Sequence, residues 1–167
     1  MRRLVAFALG LAISAPLFAA SPLDTLPDPD KLFSDRAQVH ALVVALEQQP
    51  RHANAEAIRA LLVVHYKEVD YIICGDVLGP LMGKEALQPI AWQMVIASGD
   101  WVEANPKQAK DIDAYTLAGL ESGVRAYRAL LALDPGVQDD ALDALVKEYD
   151  AHTLPDWNKA HPCRPDA

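Results

Sequence analysis

A chain of 167 residues, 51% of them hydrophobic, is long enough to bury one core and too short to divide comfortably into two domains. Its 23 acidic residues outnumber its 15 basic ones, for a net charge of −8. That balance repels phosphate backbones and anionic lipid, so nucleic-acid and membrane-surface roles are disfavoured and a basic protein partner is attracted.

At the N-terminus, Arg2 and Arg3 precede an apolar run from Leu4 to Ile13, with small residues toward Ala19 and Ala20. This is the pattern of a signal peptide over residues 1–20, too short for a comfortable membrane span. No cysteine near the cleavage region offers a site for a lipid. The expected product is periplasmic or secreted, with no stable membrane insertion after cleavage, and is more acidic by the two lost arginines.

Residues 21–31 carry Pro22, Pro27 and Pro29 without hydrophobic periodicity and read as an extended leader to a helical domain over 32–167. Asp35 and Gln38 have the spacing of a capping box. Val39, Leu42, Val43 and Leu46 then repeat as one helical face until Pro50. A second helix is expected from Asn54, with Ile58, Leu61, Leu62, His65, Val69, Ile72 and Ile73 as its inner stripe, ending at Cys74 and Gly75. Pro89 suits the first turn of a third helix, whose inner face holds Leu87, Ile90, Ala91, Met94, Val95, Ser98, Trp101 and Val102.

Asn105, Pro106 and Gln108 then resemble the start of a helix running to about Leu133, a rod of roughly 40 Å. Its two apolar rows make it the expected central element. The Gly119–Gly123 pair lies in a stretch too charged for a membrane, so it predicts close helix packing within the domain, with a homodimer seam as the alternative. A further helix from about Asp139 buries Leu142, Leu145, Val146 and Tyr149, and residues 154–163 form a proline-started turn carrying Trp157. The expected fold is an all-α, single-domain bundle of five or six helices.

The two cysteines, Cys74 and Cys163, allow one intramolecular pairing. In an oxidising compartment they form a disulfide that closes about half of the chain and adds about 4–5 kcal/mol by chain entropy. No CxxC redox pair or haem-attachment motif is present.

The stretch HYKEVDYIICGD, residues 65–76, concentrates the polar groups an active site would need. His65 and Glu68 have a spacing that can bind metal or relay a proton, and Glu68, Asp70 and Asp76 are candidate acid–base carboxylates. Against this, His65 falls on the apolar stripe, Glu68 and Asp70 point in different directions on a helix, and Asp76 after Gly75 suits a cap or turn. No second histidine has metal-pair spacing, no serine sits in a nucleophile motif, and no cofactor is implied. IASGD around Ser98 resembles a bend. Tyr71, Trp92 and Trp157 are the aromatic residues best suited to anchor an interface, or else they fill the core.

The main reading is therefore an exported helical protein that works by binding a protein, such as an inhibitor or immunity protein that caps a basic enzyme or toxin. The rival is a periplasmic hydrolase with a His/carboxylate site around Asp76, and a third reading is small-ligand binding between helices.

Overall fold

The computed structural model describes residues 20–32, 34–72 and 74–163. The expected signal peptide lies almost wholly outside them. Among the described residues there are eight α-helices and no strand: α1 Pro29–Leu32, α2 Arg36–Gln48, α3 Ala55–Tyr66, α4 Gly75–Met82, α5 Gln88–Ala104, α6 Ile112–Leu133, α7 Asp140–Asp150 and α8 Leu154–Ala160. Single 3-10 turns at Glu85–Leu87, Pro106–Gln108 and Pro135–Val137 join them. The five main helices are those the periodicity predicts, and α1, α4 and α8 are short additions between turn-forming residues.

The centre is a pair. Every residue of α5 from Gln93 to Asp100 is buried, which a helix bearing only two charged residues, Asp100 and Glu103, allows. The apolar side of α5 formed by Ile90, Ala91, Met94 and Val95 faces a core shared with α4, α6, α7 and α8. Ile96 and Ala97 belong to a second core with α2 and α3. Trp92 and Tyr71 touch both cores, so α5 is the partition between two half-cores. The long helix α6 is central as expected, and α5 beside it is the more completely enclosed of the two.

Two helix boundaries differ from expectation. Asn105 ends α5, donating its side-chain amide to the Trp101 carbonyl at 2.8 Å, and the cap of α6 is Asp111, which accepts from Ala114 N at 3.0 Å. With 22 residues, α6 is about 33 Å long. The second difference is the end of α3 at Tyr66, eight residues before Cys74. The apolar spacing continues through Val69 and Ile72, but here the backbone finds partners outside a helix. Tyr115 Oη accepts from Ile72 N at 3.1 Å, and Tyr71 Oη donates to the Val95 carbonyl at 3.2 Å. Ile72 is consequently 36% exposed, not inward as its spacing implied.

Residues 21–31 are anchored rather than free. Leu23 is fully buried in the α2–α3 core, and Asn54, expected as a side-chain cap of α3, instead donates to the Leu23 carbonyl at 2.9 Å. Asp139 caps α7 through Ala141 N and Leu142 N and also receives Lys84, which ties the turn before α5 to the start of α7. Asp143 accepts from Tyr127 Oη at 2.9 Å, which ties α7 to α6.

The expected close packing at Gly119 and Gly123 is present within the domain. A Cβ on Gly119 would come within 2.7 Å of the Met94 carbonyl oxygen, and one on Gly123 would meet the Met94 side chain at 2.5 Å. A backbone carbonyl in a buried helix cannot step aside, whereas a methionine side chain has three rotatable bonds. Gly119→Ala is therefore expected to cost about 2–3 kcal/mol. Gly123→Ala, which meets Met94 Cγ and Cε alike and so requires that side chain to repack, should cost less, about 1 kcal/mol. Urea unfolding midpoints measure both, and equal costs would show that Gly119 does not set the α5–α6 distance.

Candidate functional site

The segment 67–74 links the end of α3 to the start of α4 and is fastened at its far end. Cys74 and Cys163 form a disulfide, with their Cα atoms 5.3 Å apart, so the chain after α8 is tied to the residue that precedes α4. Cys74 caps the start of α4 and does not close α3, as the uninterrupted apolar spacing had suggested. Behind the segment lies a void of only about 30 Å³, lined by Tyr71, Cys74, Met94, Ser98 and Thr116 among others. That is room for one or two water molecules and too little for a ligand, so this region offers a surface and not a binding cavity.

Three of the four residues proposed for chemistry have described side chains. His65 is 13% exposed at its side chain and pairs through Nε2 with Glu103 Oε1 at 2.9 Å, a carboxylate on α5, while its ring meets Tyr66 edge-on. Glu68 and Asp70 are exposed on the linking segment. Asp76 is the second residue of α4, at the helix start where a carboxylate is favoured, and its side chain lies outside the described part.

Of the expected interface aromatics, Tyr71 is half-buried and packs edge-on against Tyr115, with ring centres 6.1 Å apart. Trp157 is half-buried against the α6–α8 core and stacks on His161, 4.1 Å between ring centres. Trp92 lines a groove between α3 and the start of α5.

A second His/carboxylate pair escaped the sequence reading. His40 of α2 places Nδ1 2.6 Å from Asp100 Oδ2, and Tyr66 Oη donates to Asp100 Oδ1 at 3.2 Å. Asp100 is 7% exposed, whereas the His40 side chain is 59% exposed. Arg36 holds the same corner by donating to the carbonyls of Asp100 and Glu103 at the end of α5, where the helix dipole favours a cation. The two pairs, His40–Asp100 and His65–Glu103, thus flank the buried Tyr66. His40 and Asp100 line a groove of about 570 Å³ among α2, α5 and α6 that also includes Trp101 and Arg125. At its other end, Glu47 accepts from Arg125 Nε at 2.7 Å and from Ser122 Oγ at 2.7 Å.

The available signal was Asp100 itself. A carboxylate inside a helix that is apolar on every side requires partners, although nothing local says that one of them is His40, 60 positions away. IASGD is likewise no bend. It is the middle of α5, where Ser98 Oγ lies 3.0 Å from the Met94 and Tyr115 carbonyls, and Gly99 makes room for Tyr66, whose Cγ a Cβ would meet at 2.6 Å. No known protein family matches the chain, and neither a characterised protein nor a solved structure is detectably similar to it.

The buried phenols control alkaline stability. Burial, then the charges of Asp100 and Glu103, push Tyr66 far above the usual phenol range, and burial pushes Tyr71 and Tyr127 up to about 12. A raised folded-state value means stabilisation fully present below the unfolded value near 10 and lost as pH rises through the folded value. Above about pH 10, phenolate absorbance from these residues should appear together with loss of helical circular dichroism. Titration of all five tyrosines with the helices intact would contradict this assignment.

Proposed function

We propose that this chain is an exported binding protein that engages a basic protein, in the manner of an inhibitor or immunity protein, through the face around the disulfide. The observation that carries the reading is the pairing of exposed apolar and acidic groups there. Among the described residues, the exposed large hydrophobics are Leu26, Val64, Ile72 and Leu133; Ile72 lies in the linking segment and Val64 in the last turn of α3 before it. Val64 is 60% exposed, and Glu68 and Asp70 are exposed between it and Ile72. The segment is held by α5, α6 and the disulfide, so little conformational freedom is lost on docking. The net charge supplies long-range attraction for a basic partner. The disulfide suits an oxidising compartment, and no described helix is long and apolar enough to cross a membrane.

The disulfide-bonded protein and a Glu68→Lys/Asp70→Lys/Ile72→Asp variant serve as paired baits for an envelope extract. The reading expects a basic protein on the unaltered bait, absent from the variant and weakened by salt. Identical captures by both baits, or no reproducible partner, would remove it.

A second reading, a hydrolase, is favoured by one observation. Asp100 orients His40 with its other nitrogen available beside the 570 Å³ groove, an arrangement suited to a general base acting on water. His40→Gln should then slow hydrolysis of an activated nitrophenyl ester by roughly 100-fold or more. Equal rates for the two proteins would end this reading.

A further inference from the structure

The groove between α3 and the start of α5 has a volume of about 580 Å³, within the roughly 300–1,000 Å³ usual for small-molecule sites. Its lining combines Arg59, Glu56 and Glu85 with the apolar Ala60, Val63, Pro89 and Trp92. Arg59 is the unusual member. It is 6% exposed, its Nη2 donates to the Pro50 carbonyl at 2.5 Å, and its Nε is buried with no hydrogen-bond partner.

Among the described arginines, Arg51, Arg125 and Arg128 each hold a carboxylate, and Arg36 sits on the carbonyl end of α5. Arg59 lacks such a partner. Burial lowers its proton affinity to about 10, and the charge of Glu56 offsets this only in part. A buried cation without a carboxylate in contact is costly to the fold, and an anionic group supplied from the groove would relieve that cost.

The rest of the lining narrows the chemistry. Glu56 and Glu85 share the groove with Arg59, so a purely anionic ligand is repelled by two carboxylates and a purely cationic one by the guanidinium. A zwitterion satisfies both. Val63, Pro89 and Trp92 offer an apolar wall to the remainder of the molecule.

We propose that this groove binds an α-amino acid with an apolar side chain, its carboxylate on Arg59, its ammonium toward Glu56 and Glu85, and its side chain against Trp92 and Val63. The site lies apart from the disulfide face and stands whether or not that face binds a protein. Sequence alone marked Trp92 only as one of three aromatic anchors.

Titration calorimetry on the disulfide-bonded protein tests this with L-phenylalanine, N-acetyl-L-phenylalanine and L-phenylalaninamide. The free amino acid should bind roughly tenfold or more tightly than either derivative, each of which lacks one charge. Arg59→Met should bring phenylalanine down to the level of the amide and leave the amide unchanged. Because Arg59 is buried, the exposed Glu85→Gln provides a second variant that keeps the fold; it should weaken phenylalanine and leave the N-acetyl compound unchanged. Quenching of tryptophan fluorescence on binding should disappear in Trp92→Phe. No binding of phenylalanine up to millimolar concentration, equal affinity for the three compounds, or indifference to Glu85→Gln would each overturn the proposal.

Discussion

The contact on which the rest of the structure depends is the approach of α6 to α5 at Gly119. With no side chain there, the backbone of α6 reaches the Met94 carbonyl and Ser98. α5 thereby becomes enclosed, since α6 covers one side while α2, α3 and α4 occupy the others. Once a helix is enclosed, the polar groups on it turn to neighbours for partners, and among those of Gln93, Ser98 and Asp100 all but Gln93 Oε1 find one. Gln93 donates to the Val43 carbonyl at 3.0 Å and to Ser122 Oγ at 2.9 Å, Ser98 sits against two carbonyls, and Asp100 receives Tyr66 and His40. The groups that resemble a site around Asp100 are thus a consequence of burying α5.

The disulfide acts on a different part of the fold. The described residues of segment 67–74 are not in a helix, and the ties that hold them include hydrogen bonds to Tyr115 and Val95 and the bond from Cys74 to Cys163. Closing a loop of this length restricts the unfolded chain by about 4–5 kcal/mol on the chain-entropy model. It also fixes the segment that follows α8, beside the Trp157–His161 stack, to the start of α4. One covalent bond therefore serves both stability and the shape of the face proposed for a partner.

Legibility in the sequence followed the range of the interactions. The cap at Asp35, the start of α5 around Pro89, the inner faces of α2 and α5 and the disulfide are set by spacing within one or two turns or by having only two cysteines. The start of α6 was misplaced because Asn105, Pro106 and Gln108 match the cap pattern equally well. The choice of Asp111 depends on the Asn105 side chain being spent on Trp101. The end of α3 was misplaced for a similar reason, as Tyr115 and Val95 compete for the backbone and the phenol at Tyr71 and Ile72 from more than twenty positions away.

By itself, then, the sequence determined an acidic all-α chain, its main helices, its small-residue packing seam and its single disulfide. Each of these is written in composition or in periods of a few residues. Only the tertiary structure decided which polar residues meet. His65 found Glu103, His40 found Asp100, and Arg59 was buried beside a groove without a carboxylate in contact. The physical reason is that burial, not spacing, creates the demand for a partner. Which groups are buried together is fixed only when the helices pack.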